Sequence, residues 1–419
     1  MKRTSLLLFA AALTLSAAAQ STFTVADGPV LWHYDANALD EVHMPFSGGN
    51  TFTVNGRDYT LSPSLSMSVG HADYDPLTVS VNYLPSGVEV SAPGALADRL
   101  TITAAGQNVD ITAAASLDQE VVYVLSGSGE SFALHGDYKS TVVLDGVSLR
   151  ATGEQPALWI DNGKRIEIKA NDGTVNTFAD AAGNKKKAAF YVKGHTEWKG
   201  DGSVSIAGAT RHAYASGEYT LFKNSFTGNF SVTAAGSDDM HVEQYLEIRS
   251  GNFNIAGNRG DGIDVAYTYE DDGVTPTTDE LNGQFIMSGG TITVSAKADG
   301  TKGVKCDDLM TITAGRINAT ADGDGTRGVS AGTDLILGTE GATDATAAYI
   351  YLTANGDEYT DPATGDTDKC RGLKVKRDFY HYPSTVERNA ESLVTKKKIV
   401  DVDGSYKALG GTLVGITIQ

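Results

Sequence analysis

The amino-acid sequence predicts an all-β protein whose larger part is a right-handed parallel β-helix, on three observations. Short runs of alternating apolar and polar residues recur in groups of three. The runs are separated by turns rich in Gly, Asn and Asp, in a chain with 47 Gly and only 10 Pro, which is turn chemistry repeated many times. One anchor, an apolar residue following a polar-Gly or polar-Ala step, returns at Leu158, Phe190, Ala213, Met240, Ile263, Val304, Val329 and Leu373. The anchor spacing falls to 23 residues between Met240 and Ile263 and 25 between Val304 and Val329. Three strands in so short a period form a coil that cannot bury its inward face alone, so coils must stack. A propeller blade needs about 40 residues or more and four strands, which these spacings exclude. A left-handed β-helix needs a strict hexapeptide period, which is absent. Longer spacings contain insertions, such as residues 267–283.

The elements follow in chain order. Lys2 and Arg3, the apolar run from Leu6 to Leu15 and the small residues Ala17, Ala18 and Ala19 read as a signal peptide over 1–19, hence a secreted or periplasmic protein. No later apolar run reaches the ~18 residues of a membrane span. Residues 20–125 read as a small antiparallel β domain, with hairpin turns at Asn55-Gly56, at 85–87 and at 106–108. Residues 126–419 read as the β-helix, about eight coils by the anchors, with 396–419 supplying short closing strands. The run 387–394 is the one candidate for a short helix. A monomer is expected.

The formal net charge of −19 disfavours nucleic acid as a partner and suits divalent cations. The repeats place Cys306 and Cys370 about two coils apart. At ~4.8 Å per coil, their Cα atoms would be roughly 10 Å from one another, too far for a disulfide. Two free, buried thiols are expected.

Candidate site residues cluster around the anchors. Asp239 and Asp261 read as aligned one position before the anchor on neighbouring coils. Carboxylates stacked that closely repel unless a cation or proton lies between them. Asp238 and Asp264, with Asp299, Asp322 and Asp324 in the turns, could add the oxygens that calcium requires. The alternative is that these are Asx-type turn residues. The same face carries Lys302, Lys305, Arg327, Arg371 and Lys374. They could hold a sugar carboxylate or form a charge ladder that neutralises the aspartates. Tyr267, with Tyr214, Tyr245 and Tyr269, could stack on sugar rings. Trp159 and Trp198 read as core or wall packing, and His212 and His241 as structural rather than as zinc ligands. No Ser-His-Asp grouping, phosphate loop or Cys-x-x-Cys motif is present.

The ordered segments YKSTVVLDGVSL, PALWIDNGKRIEI, KGHTEWKGDGSVSIAG, GDGIDV, NGQFIMSGG and TKGVKCDDLMTITAG resemble the carbohydrate-binding β-helix proteins of secreted bacterial, especially Bacteroidetes-type, origin. The resemblance covers residues 121–419 and is pectate-lyase-like in architecture. It implies binding of plant polysaccharide, acidic sugars included, and calcium on the wall of the fold. The family's Asp-Asp-Gly-Ile-type motif stands here as Asp238-Asp239-Met240-His241 and as Asp261-Gly262-Ile263-Asp264. Lys302 and Arg327 fill the acidic slot on the next two coils, which concentrates the calcium expectation near Asp239 and Asp261. The reading is therefore calcium-assisted, non-catalytic binding of polysaccharide, with uronate polymers as one class. The alternatives are a lyase acting by β-elimination, with Lys302 or Arg327 as base, and an adhesin or scaffold that meets a protein partner.

Overall fold

In the computed structural model, residues 20–43, 49–257, 259–345 and 347–418 are described, so the proposed signal peptide lies outside the described residues. The chain divides into two compact units, residues 1–78 with 91–98 and residues 79–90 with 99–419. In the first, Gln20–Asp27 pairs antiparallel with both Val30–Asp35 and Leu65–Ala72. Thr51–Val54 and Arg57–Thr60 form the hairpin that Asn55-Gly56 predicts. Trp32, Phe52 and Tyr59 fill the core of this unit, where the Tyr34 and Tyr59 hydroxyls meet at 2.6 Å.

The second unit includes the hairpin predicted around 106–108, Leu100–Ala105 against Asn108–Ala113. Asn108–Ala113 then pairs parallel with Ser131–His135 and begins a 12-stranded sheet. Its inward column runs Val109, Phe132, Leu158, Phe190, Tyr214, Met240, Ile263, Val304, Val329, Leu373 and Val400. Seven of the eight sequence anchors fall in this column. The exception is one residue off: Tyr214, not Ala213, faces inward beside Phe190.

The expectation of an open right-handed parallel β-helix is corrected by the pairing of the other strands. Ser140–Arg150 pairs with both Ile166–Ala170 and Val175–Ala179. From Ile166–Ala170 the parallel pairing continues through Thr196–Gly200, Thr220–Phe226 and Tyr245–Ile248 to Gln284–Ala296. It returns through Asn252–Ile255, Asn229–Ala234 and Ser203–Ala207 to Val175–Ala179. The circuit closes as a ten-strand parallel β-barrel. The cause is two long strands, of 11 and 13 residues, each of which serves both sides of the ring. They bend at Gly146 and Gly290, whose positive φ values of 74° and 80° let the chain change direction where the pairing register skips.

The core is aromatic at mid-height. Trp198 stacks on Phe222 at 5.6 Å and meets Phe230 edge-on at 5.4 Å. Phe190 and Tyr214, from the 12-stranded sheet, close on Trp198 at 5.5 and 6.2 Å. Each such fully buried side chain contributes roughly 2 kcal/mol of hydrophobic stabilisation or more. Trp198 is thus core, whereas Trp159 lies on the wall under the Lys186 ammonium. The closing strands Val400–Val402, Tyr406–Ala408 and Thr412–Val414 are present as the sequence predicts. The helix expected over 387–394 is absent. Thr385–Arg388 is a strand, because Val386 is needed in the column over Ile350, and turns follow it. Both cysteines are free and buried. No helix among the described residues is long and apolar enough to cross a membrane.

Candidate functional site

Two columns of polar side chains flank the buried anchors of the 12-stranded sheet. Two positions before the anchors stand His212, Asp238, Asp261, Lys302, Arg327 and Arg371, placed by the registers Tyr214–Met240–Ile263–Val304–Val329–Leu373. One position after them stand Ala215, His241, Asp264, Lys305, Ser330 and Lys374.

This register corrects the expected alignment of Asp239 with Asp261. Asp261 stacks on Asp238, and its N–H donates to Asp238 Oδ1 at 2.8 Å. Asp239 is fully buried and takes the Gly257 N–H on Oδ2 at 2.5 Å. Its Oδ1 has no hydrogen-bond partner among the described residues. Burial pushes the Asp239 carboxyl up to about 6, against the Gly257 hydrogen bond. Asp261 is also pushed up to about 6 by burial, which outweighs nearby Lys302. The Lys302 N–H donates to Asp261 Oδ1 at 2.7 Å, while its ammonium donates to the Gly300 carbonyl.

Asp264 behaves in the opposite way. Burial opposes its charge, but His241 Nδ1 at 2.9 Å and Lys305 Nζ at 2.7 Å outweigh burial and hold the carboxyl at about 2. Burial likewise opposes charge on Lys305 and His241, yet their carboxylate neighbours raise both. The turn aspartates form a ladder of their own. Asp299 accepts from the Asp324 N–H at 3.0 Å, and Asp324 from the Asp357 N–H at 2.8 Å. Asp322 accepts from the Asn355 side chain at 2.8 Å. These bonds run between rungs, 25 to 33 residues apart, and are not the local Asx turns that were the alternative for these residues.

The remaining cations are matched with acids. Arg327 pairs with Asp368, Lys374 with Asp401 and Asp403, and Arg371 with Asp401 at 3.5 Å. Among the tyrosines, Tyr214 is removed from consideration by complete burial, its hydroxyl 2.9 Å from Thr220 Oγ1. Tyr245 stacks on Tyr219 at 4.8 Å. Tyr267 and Tyr269 meet edge-on at 6.2 Å at the base of the 267–283 insertion. That insertion is ordered by Asn282, which accepts from the Thr268 N–H at 2.8 Å and donates to the Thr268 carbonyl at 3.0 Å.

Two cavities lie along these columns. A groove of about 510 Å³ is lined by Tyr267, Tyr269, His241, Glu218, Glu243 and Asp279, among others. A second cavity, of about 460 Å³, is lined by Asp238, Asp261, Asp299, Lys302 and Tyr359, with Asp361, Asp366 and Asp368 around the hairpin Glu358–Thr360 and Thr367–Lys369. The columns thus bring Asp238, Asp261, Asp299 and Lys302 together. They leave Asp239 turned inward, Asp264 in its ion pairs, and Asp322 and Asp324 outside the cavity lining. Sequence reasoning missed Glu218, Glu243, Asp279 and the hairpin aspartates. The last had a signal in the acid-rich loop 361–368, in the long step before Leu373.

An all-β scaffold that sets an aromatic groove beside a carboxylate-lined cavity has the features of a saccharide-binding protein. Residues 105–406 match the family described as carbohydrate-binding domain-containing protein, and the chain belongs to that family. Membership supports a polysaccharide as its partner. A solved structure, the polysaccharide lyase-like protein from C. thermocellum as a gadolinium derivative, is similar at 19% identity and a TM-score of 0.49. The similarity covers 63% of this chain and 98% of that one. No curated protein matches.

Proposed function

We propose that this protein, secreted by virtue of residues 1–19, binds polysaccharide along the wall between the tyrosine groove and the acid-lined cavity, with calcium held in the cavity and without catalysis. One observation carries the reading: the two cavities adjoin. Asp238, which borders the acid cavity, lies 3.8 Å from His241, which borders the groove. A chain crossing the wall would present a ring face to Tyr267 and its hydroxyls to Glu218, Glu243 and Asp279.

Calcium fits the donor set. Asp261, Asp299, Asp361 and Asp366 offer the hard carboxylate oxygens it selects. Burial raises the Asp261 carboxyl, and a bound cation would oppose that shift. Lys305, Arg327, Arg371 and Lys374 already face carboxylates, so a uronate would be met through calcium rather than through these cations.

A glycan array probed with calcium and with chelator tests the reading. Signals on uronate polymers that disappear in chelator are expected. A blank array under both conditions contradicts it. Release of unsaturated uronate, read by its ultraviolet absorbance, would make the protein a lyase instead.

A further inference from the structure

We propose that His212, Asp238 and His241 form a binding site for a transition-metal ion of the zinc class, beside the calcium cavity that Asp238 also borders. The three residues come from two neighbouring strands, and their ligand atoms all lie within 4.8 Å of one another. Asp238 Oδ2 is 3.3 Å from His212 Nδ1 and 3.8 Å from His241 Nδ1. Tetrahedral ligands at zinc's ~2.1 Å bond length stand about 3.4 Å apart, a spacing these two distances bracket. The two imidazoles are stacked, centroids 4.6 Å apart at 15°, so binding one ion requires a ring to turn about its Cβ–Cγ bond until both Nδ1 lone pairs meet beside Asp238.

A second observation points to a ligand. His212 Nδ1 is buried and makes no hydrogen bond among the described residues, its one close acid being Asp238 Oδ2 at 3.3 Å. Its neighbours on the wall are already fixed. Asp238 Oδ1 is taken by the Asp261 N–H at 2.8 Å, which leaves Oδ2 directed to the histidines. Asp264 orients the His241 ring through Nδ1 at 2.9 Å and is itself held by Lys305 at 2.7 Å. When His241 Nδ1 binds the ion, the proton of that His241–Asp264 bond is released to solvent, and Asp264 Oδ2 becomes a further oxygen beside the ion. Two imidazole nitrogens and one carboxylate select zinc, copper or nickel over calcium, which prefers oxygen. The inference therefore stands whether or not the acid cavity takes calcium.

The test uses the tag-free mature chain, freed of metal with chelator and titrated with zinc by calorimetry, with and without millimolar calcium. One zinc per chain is expected under both conditions, so a failure of the calcium reading leaves this result unchanged. Cobalt in place of zinc should give a visible band without the near-ultraviolet charge transfer of a thiolate, which separates the site from Cys306 and Cys370. Asp264→Asn, which removes the acid beside the His241 ligand atom, should weaken zinc by about 10- to 100-fold. His212→Gln and Asp238→Asn should weaken it further, in protein whose circular dichroism matches the parent. X-ray absorption at the zinc edge of the unaltered protein gives a variant-free reading, with imidazole scattering expected. Absence of zinc binding below millimolar concentration, a sulfur shell at the zinc edge, or binding that survives His212→Gln overturns the proposal.

Discussion

Rungs 212–266 and rungs 302–403 of the 12-stranded sheet share one backbone register, yet they treat charge in opposite ways. On the earlier rungs the positions before the anchor hold Asp238 and Asp261, stacked on one another, with Asp239 buried beneath them. Two of these three carboxyls are pushed up to about 6 by burial. On the later rungs the same positions hold Lys302, Arg327 and Arg371, and acids face two of them directly, Asp368 on Arg327 and Asp401 on Arg371. In this column Arg327 and Arg371 meet acids, whereas Asp261 makes no ion pair among the described residues and borders the cavity with Asp299, Asp361 and Asp366. The difference teaches that a repeated strand register fixes where side chains stand and leaves their chemistry free.

Three substitutions break or sharpen this contrast. Asp264 is the boundary between the halves, holding both His241 and Lys305. Asp264→Ala takes the nearest acid from two half-buried groups, leaving Lys305 with Asp307 at 3.1 Å, and should cost about 3 kcal/mol, read as a lower midpoint in urea with an unchanged slope.

Asp239→Asn is next and acts in the other direction. The folded carboxyl lies near 6 against an ordinary 3.8, so its protonation contributes stability that is complete below about 3.8 and lost as pH rises through about 6. At pH 8 in chelator, Asp239→Asn should be more stable than the parent by roughly 2 kcal/mol. The two should converge as pH falls toward 4. Asp264 carries the reverse sign, with stability present above 3.8 and lost as pH falls through about 2, so it does not disturb that window.

Arg327→Ala should be the smallest effect. It removes a pair whose acid, Asp368, is 40% exposed, and should change stability by less than about 1 kcal/mol in thermal melts.

How much of this was legible in the sequence depended on what each pattern encodes. The anchor column was readable because burial forces apolar residues to recur rung after rung. The exception arose in Ala213-Tyr214-Ala215, where every residue is buried and alternation gives no in-out signal. The same kind of one-residue slip misplaced Asp261, and with it the pairing of Asp238 to His212 and His241. The closure of the barrel was not readable. In Gln284–Ala296 the Gly289-Gly290 pair reads as a turn between two strands, whereas the structure runs one strand through it. A Cβ at Gly289 would stand 2.3 Å from the Arg249 carbonyl oxygen, so the pair marks close backbone approach rather than chain reversal. Turn aspartates and cavity aspartates also look alike in sequence. Asp324 and Asp261 each accept a backbone N–H and are separated only by whether the carboxylate also borders the open cavity.

Calcium calorimetry on the parent, Asp261→Asn and Asp324→Asn tests most directly whether the acid-rich half of the wall is built for a cation. Saturable binding by the parent is predicted, weakened at least about tenfold in Asp261→Asn, a difference of ~1.4 kcal/mol, and unchanged in Asp324→Asn. No calcium binding by the parent, or equal affinities in all three proteins, would contradict it.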